Sequence, residues 1–318
     1  WQVTRRTAMG YDREGDIPRD AHIEGSVEGE CLFARAAGSN LRILADNIWD
    51  YSRDDIPEAW RLIGEDPRDD VRAPQFAQLV RAFMPDVLDL QEYSLHMHQR
   101  FYPLIRRYGY RIAYEGEEPW NNTPIFYNPE TVELVDVNYV LYAPSCWSNI
   151  GSKSYTSAVF RKKDTGRLFA VVNTHLWWKS EAAQPGSTYA RAAQVRLMMA
   201  EAEVLKNKYG CTIFVTGDMN AYEDSLPIRQ FIEGGYTPCY KAATDATDNG
   251  NGHHICGPKD GYSRTSRRRS PDREKGAIDH CFIYNAQEGV AVKVFDCITA
   301  RFTVKLTDHY PYLIDAAL

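Results

Sequence analysis

Six apolar runs in this chain carry, at or near one end, residues able to bind a cation or move a proton. "LRILADN" ends at Asn47, "VLDLQE" at Glu92, and "LFAVVNTH" at Asn173 and His175. "TIFVTGDMN" ends at Asp218 and Asn220, Asp279 lies in "AIDHCFIY", and Asp308 and His309 open "DHYPYLI". Carboxylates and carboxamide oxygens are hard ligands suited to a small divalent cation. Histidines transfer protons or contact anions near neutral pH. Each residue alone has an ordinary reading, since Asp and Asn are turn formers. Their recurrence where apolar runs stop is the signal, because side chains there reach the cleft beyond the strand ends.

The elements that must position them are legible as a mixed α/β pattern. "DVLDLQE", "YRIAYE", "TPIFYN", "TVELVDVNYVLY", "CTIFVTGD", "VAVKVFDCI" and "YPYLIDAAL" read as strands, and Asp164-Thr165-Gly166 turns a hairpin between residues 154 and 175. "APQFAQLVRAFMPD" places Phe76, Leu79, Val80 and Phe83 at helical spacing, with Pro85 as the stop. A second helix is expected after Ser187 or Thr188, with an inner face of Ala190, Ala193, Leu197, Ala200 and Val204 and a C-terminal cap at Gly210. Residues 1–40 are rich in charge and glycine and read as an extension packed on a main domain of residues 41–318.

At 318 residues, with 44% apolar and 25% charged residues, the chain supports a large soluble core without staples. A net charge of −6 argues against a generally basic nucleic-acid coat, though not against a locally basic site. Its seven cysteines show no C-x-x-C and suggest mostly buried thiols, with room for one or two bridges. No apolar run has the length of a membrane span. The chain starts at Trp1, which is compatible with export and a removed leader.

The ordered set of motifs resembles the DNase-I-like endonuclease/exonuclease/phosphatase superfamily. Asn47-Ile48-Trp49, Gln91-Glu92, Asn173-Thr174-His175-Leu176, Gly217-Asp218-Met219-Asn220, Ile278-Asp279-His280-Cys281-Phe282 and Asp308-His309-Tyr310-Pro311 stand in the family's order across residues 41–318. The resemblance implies a four-layer α/β sandwich, two face-to-face mixed sheets with helices outside. It also implies a Mg²⁺-dependent phosphoesterase, Mn²⁺ being a substitute, that hydrolyses phosphodiester bonds as a monomer. Candidate substrates are nucleic acid, a phospholipid headgroup or an inositol phosphate; a catalytically inactive binding module on the same fold is the alternative. By resemblance, Glu92, Asn47 and Asp308 would hold the metal, and Asp218 would activate water with Asn220 beside it. His309 would contact the phosphate with Asp279 fixing its tautomer, and His175 would serve the phosphate or leaving oxygen. Asn173 is placed with the substrate-binding residues, where it could also fix its strand end. The group that orients His175 stays open among Asn122, Glu115 and Glu117.

Three further features carry less. "SRTSRRRSPDREKG" is the one strongly basic stretch, and Arg267, Arg268 and Arg269 in it are placed to grip a second phosphate, against the plain reading of a solvated loop. His96 and His98 read as surface residues, and "HHIC" has no zinc spacing. Of the adjacent Trp177 and Trp178, at most one lines the cleft.

Overall fold

The computed structural model describes residues 33–51, 55–56, 66–116, 120–142, 153–246, 277–298 and 306–318. Thirteen strands among them form two sheets. The first has the order β10-β12-β13-β1-β2-β4-β3, with β1 Leu41–Asn47, β2 Val87–Gln91, β3 Arg111–Ile112, β4 Ile125–Tyr127, β10 Asp245–Ala246, β12 Ala291–Cys297 and β13 Tyr312–Ala317. The second has the order β5-β6-β7-β8-β11-β9, with β5 Val132–Leu141, β6 Ser154–Lys162, β7 Leu168–His175, β8 Thr212–Asp218, β9 Thr237–Pro238 and β11 Asp279–Tyr284. Helices α1 Asp69–Phe83 and α2 Leu95–Arg106 pack on the outer face of the first sheet. Helices α3 Ser187–Tyr209 and α4 Leu226–Glu233 cover the second, and the short α5 is Cys239–Ala242. The expected sandwich is observed. Its inner layer joins residues of both sheets, among them Ile43, Ile125, Ile314, Phe160, Val171 and Phe214, all fully buried.

Strand patterning explains the layers. β7 and β8 lie between the inner layer and α3, so their runs are apolar on both faces and buried almost throughout. β5 is an edge strand, and its burial alternates. Helix α1 ends as expected, Met84 taking a left-handed conformation (φ 42°) just before Pro85, but it begins earlier, at Asp69.

Helix α3 spans the expected range and closes on Gly210 (φ 59°), yet its inner face differs from expectation. Leu197 and Val204 are exposed, and the buried stripe runs through Ala190, Arg191, Gln194, Val195, Met198, Ala202 and Leu205. Two polar residues on that stripe are there for hydrogen bonds. Gln194 Oε1 accepts the Trp177 N–H (2.9 Å), and Arg191 Nη1 donates to the Trp177 (3.1 Å) and Lys179 (2.8 Å) carbonyls. A pattern built on apolarity alone therefore rotates the helix.

Of the segment 1–40, only residues 33–40 are described. Phe33 stacks on Phe83 at 4.7 Å between ring centroids, and its N–H bonds the Ala82 carbonyl. The basic stretch with Arg267, Arg268 and Arg269, and the "HHIC" segment, lie outside the described residues. No helix among the described residues is long and apolar enough to cross a membrane.

Candidate active site

Register brings the strand ends together. β1 and β2 are parallel, with Asn47 opposite Gln91, and β7 and β8 are parallel, with His175 opposite Asp218. β11 runs antiparallel to β8 and sets Asp279 opposite Asp218. The C-terminal ends of four strands, the start of β11 and the turn before β13 thus converge at one end of the sandwich.

Local conformation at these ends is unusual. Among the described residues, non-glycine residues with positive φ include Trp49 (56°), Glu92 (55°) and Asn220 (47°), which follow β1, β2 and β8. Asn tolerates this region, but for Glu and Trp it is unfavourable and persists only where surroundings enforce it. Gly217 has a separate reason. At φ 142° a Cβ there would stand 2.0 Å from the Thr174 carbonyl oxygen, so no side chain fits where β8 passes β7.

One half of the site gathers around Glu92. Asn47 Nδ2 donates to Glu92 Oε1 (3.2 Å) and Asp218 Oδ2 (2.9 Å), and Asn47 Oδ1 accepts the Trp49 N–H (3.0 Å). Glu92 Oε2 accepts the Asp50 N–H at 3.0 Å. Asp218 Oδ1 accepts the Asn220 N–H at 2.8 Å, and Asn220 Nδ2 donates to the Leu176 carbonyl. His175 Nε2 stands 3.4 Å from Asp218 Oδ2 and 3.8 Å from Glu92 Oε1.

The other half is the pair His309–Asp279, with Nδ1 to Oδ2 at 2.8 Å. The far nitrogen, Nε2, lies 3.8 Å from Asp218 Oδ2 and 4.0 Å from Asp308 Oδ1. Asp218 is therefore shared. Ligand atoms of Glu92, His175 and Asp218 lie within 4.8 Å of one another, as do those of Asp218, Asp279 and His309.

Charge explains the protonation states. Burial would raise Asp218, but a hydrogen bond from His175 and the positive charges of His309 and Lys153 hold it far below the usual carboxylate range. Burial raises Asp279 and would lower His309; the carboxylates of Asp279, Asp218 and Asp308 together overcome this and hold the His309 imidazole protonated well above its ordinary value. His175 goes the other way, lowered by burial and by Lys153.

Lys153 is the residue that sequence reading missed. It is 5% exposed, and its Nζ lies 2.9 Å from Nδ1 and 2.7 Å from Nε2 of His175. Burial lowers its amine to about 8 against the opposing pull of Glu92 and Asp218. This lysine, rather than the expected carboxylate or amide, flanks His175. Glu115 faces His98 (3.8 Å), Asn122 donates to the Trp120 carbonyl, and Glu117 lies outside the described residues. A lone Lys at the start of an apolar run gives no signal of burial.

Arg72 was also illegible. It is fully buried on α1 and donates to the carbonyls of Ile48 (2.5 Å), Trp49 (2.8 Å) and Leu306 (3.0 Å) while pairing with Asp69 (2.7 Å). It ties the loop after Asn47 to the loop that carries Asp308 and His309. Thr307 Oγ1 adds a 2.5 Å bond to the Asn47 carbonyl.

Asn173 sits behind the strand ends. It is fully buried; Nδ2 donates to the Leu90 (2.8 Å) and Pro124 (2.9 Å) carbonyls, and Oδ1 accepts from Gln91 Nε2 (2.7 Å). With these groups engaged it braces β2 against β7, the role of fixing its strand end that was also expected of it. His96 and His98 lie away from the cleft, His96 against Asp69 (2.9 Å) and His98 half-buried beside Tyr93 and Trp120. Trp177 is buried and Trp178 is exposed.

The fold recurs in solved structures. An endonuclease/exonuclease/phosphatase from Bacteroides vulgatus superposes with a TM-score of 0.64 at 20% identity, covering 87% of this chain and 98% of that one. A mannosyl-6-phosphatase from Bacteroides thetaiotaomicron gives 0.67 at 18% identity, covering 87% and 100%. The human Nocturnin catalytic domain with bound sulfate gives 0.61 at 18% identity, covering 89% and 95%. Identities this low establish a shared fold. No curated protein matches the sequence. The sequence profile described as Endonuclease/Exonuclease/phosphatase family matches residues 59–309, which is most of the chain, and the protein belongs to that family.

Proposed function

We propose that this protein is a divalent-metal-dependent phosphoester hydrolase acting on phosphodiesters, with Mg²⁺ as its cation and Mn²⁺ as a substitute. The observation that supports this most is Asp218, a buried carboxylate held ionised between two histidines of opposite protonation preference. The donor set suits a small hard cation. Glu92 and Asp218 offer carboxylate oxygens, and the Asn47 oxygen keeps a second lone pair beyond its bond from Trp49. Glu92, with Asn47 and Asp308, would hold the cation, which when bound supplies neutralisation of charge at phosphorus and at the departing oxygen.

The chain's own groups supply the rest. Asp218 orients a water and accepts its proton as the oxygen attacks phosphorus, and the Asn220 N–H on Oδ1 fixes the carboxylate for that task. The protonated His309 presents Nε2 to a phosphoryl oxygen, and Asp279 on Nδ1 fixes that orientation and stabilises the imidazolium. His175 and Lys153 stand on the opposite side of Asp218, where a donor serves a second phosphoryl oxygen or the leaving group. The buried ammonium adds positive charge in a water-poor setting, where it counts for more than at a surface.

Proteins of this fold include a mannosyl-6-phosphatase from Bacteroides thetaiotaomicron and D. rerio TDP2 complexed with a single-strand DNA product. Sugar phosphates therefore join single- and double-stranded DNA, RNA, phosphoinositides and sphingomyelin in the substrate panel. The primary test is hydrolysis of a chromogenic phosphodiester with Mg²⁺, with excess chelator, and with Asp218→Ala. Turnover that needs Mg²⁺ and Asp218 is expected; undiminished turnover in chelator would remove the metal from the reading.

A further inference from the structure

Cys239 and Cys281 take no part in the chemistry proposed for the site, and their geometry is specific. Their Sγ atoms are 3.0 Å apart, and both side chains are buried. The ladder between β9 and β11 opposes Pro238 to Phe282 and Thr237 to Ile283, and the chain passes from it directly into Cys239, the first residue of α5, beside Cys281. A disulfide bond is about 2.05 Å long, so closing this pair takes about 1 Å of sulfur movement. Of the seven cysteines, Cys211 and Cys297 are the other two described, and both are buried.

We propose that Cys239 and Cys281 are a site of reversible oxidation, closing to a disulfide with a small disulfide such as oxidised glutathione as electron acceptor. Each thiol loses a proton and an electron as the Sγ–Sγ bond forms. The S–S bond of the acceptor breaks, takes both electrons and both protons, and leaves as two small thiols. The reaction passes through a mixed disulfide on one cysteine, which the other then attacks.

Access comes from the position of the pair. β9 is the edge strand of its sheet and is joined to β11 by two residue pairs, and α5, which Cys239 opens, has four residues. Such an edge opens locally at less cost than global unfolding. Beyond α5 the chain crosses to β10, the edge strand of the other sheet. The closed disulfide would pin this crossover to β11, the strand that carries Asp279.

The test uses the full chain equilibrated in glutathione buffers from fully reduced to fully oxidised, quenched in acid, alkylated after unfolding and digested. The expected product is a peptide containing Cys239 linked to one containing Cys281, with a protein mass lower by two hydrogens and full reversal by reductant. Because the bond closes a loop of about forty residues, the thermal midpoint should rise by about 5 °C on oxidation. Cys239→Ser and Cys281→Ser should each lose the link and the rise. Alkyl label or glutathione on both cysteines of the oxidised wild type, or a link from either to another cysteine, overturns the proposal, and that mapping needs no variant to fold.

Discussion

Strand β1 carries a buried charge cluster at each end, and the two differ in how completely they are satisfied. Near its start, Arg42 donates from Nε and both terminal nitrogens to Asp315 (2.7 and 2.8 Å) and to the carbonyls of Phe33, Phe83 and Ala34. Asp86 beside it takes the Arg42 N–H at 2.7 Å and pairs with Arg35 (2.8 Å) and Lys162 (3.5 Å). Five donors of one guanidinium are matched by fixed acceptors, so the guanidinium has no donor left for a ligand. At the other end, Asn47 meets Glu92 and Asp218, whose oxygens keep acceptor capacity toward the cleft, on a backbone held at positive φ. Buried charge by itself therefore does not mark a site. Unused ligand capacity beside strained backbone does.

The largest expected effect breaks the closed end. Arg42→Leu leaves Asp315 buried without its guanidinium partner, while Asp86 keeps the backbone N–H of residue 42, and the loss costs about 3–5 kcal/mol of folding stability. Turnover per folded molecule should stay near wild type, since Arg42 is far along β1 from Asn47. Urea unfolding combined with active-site-normalised rates checks both halves. Lost turnover at unchanged stability would show that the two ends are not independent.

The open end should respond in turnover. Asp218→Asn and His309→Ala are each expected to lower kcat about 100-fold or more, the scale of a positioned acid–base group. Their thermal midpoints should also fall, because Asp218 is held ionised by His175, His309 and Lys153 and His309 is the partner of buried Asp279, so rates are compared per folded molecule. Steady-state kinetics beside thermal melts decide it; a rate near wild type would withdraw the role of that residue.

The same contrast explains what the sequence disclosed. Asn47, Glu92, His175, Asp218, Asp279 and His309 were legible because each interrupts an apolar run, and strand register then had to bring them together. The second sheet was legible too, its strands β5, β7, β8 and β11 matching four quoted runs. Lys153 and Arg72 were not, because a charged residue at a strand entry or on a helix has the sequence signature of a solvated one. Only the packed structure shows that both are buried. The inner face of α3 was misassigned for a related reason, since Arg191 and Gln194 occupy core positions to hold the backbone after His175. The strain at Glu92 and Trp49 has no local sequence cue, as neither is a residue type that favours positive φ.

A smaller effect tests a buried acid that belongs to neither cluster. Asp89 lies between the sheets, where burial, opposed by a 2.7 Å hydrogen bond from Thr216, raises its carboxyl to about 7. The folded state thus keeps a proton that the unfolded chain releases near pH 4. Its contribution is fully present below that value, declines as pH rises toward 7 and is lost above it. Asp89→Asn removes the titration and can still accept from Thr216. It should match wild type near pH 4 and exceed it by roughly 2 kcal/mol at pH 8. Parallel pH–stability curves for the two proteins would place the proton elsewhere.

The smallest effect sharpens the open end directly. A cation that binds only the folded protein stabilises it by about 1.4 kcal/mol at ten times its dissociation constant, a rise of a few degrees in the thermal midpoint. Titrating Mg²⁺ into the protein should produce that rise, and Mn²⁺ should reproduce it. Glu92→Gln keeps the size of the side chain and the acceptor for the Asp50 N–H but removes the charge, so it should abolish the shift while leaving the metal-free midpoint near wild type. Arg42→Leu, although less stable, should still show the shift that Glu92 governs, because residue 42 stands at the opposite end of β1 from Asn47. An equal Mg²⁺ response in Glu92→Gln and wild type would move the cation away from Glu92. The unused ligand capacity at this end of β1 would then belong to the substrate phosphate and its water.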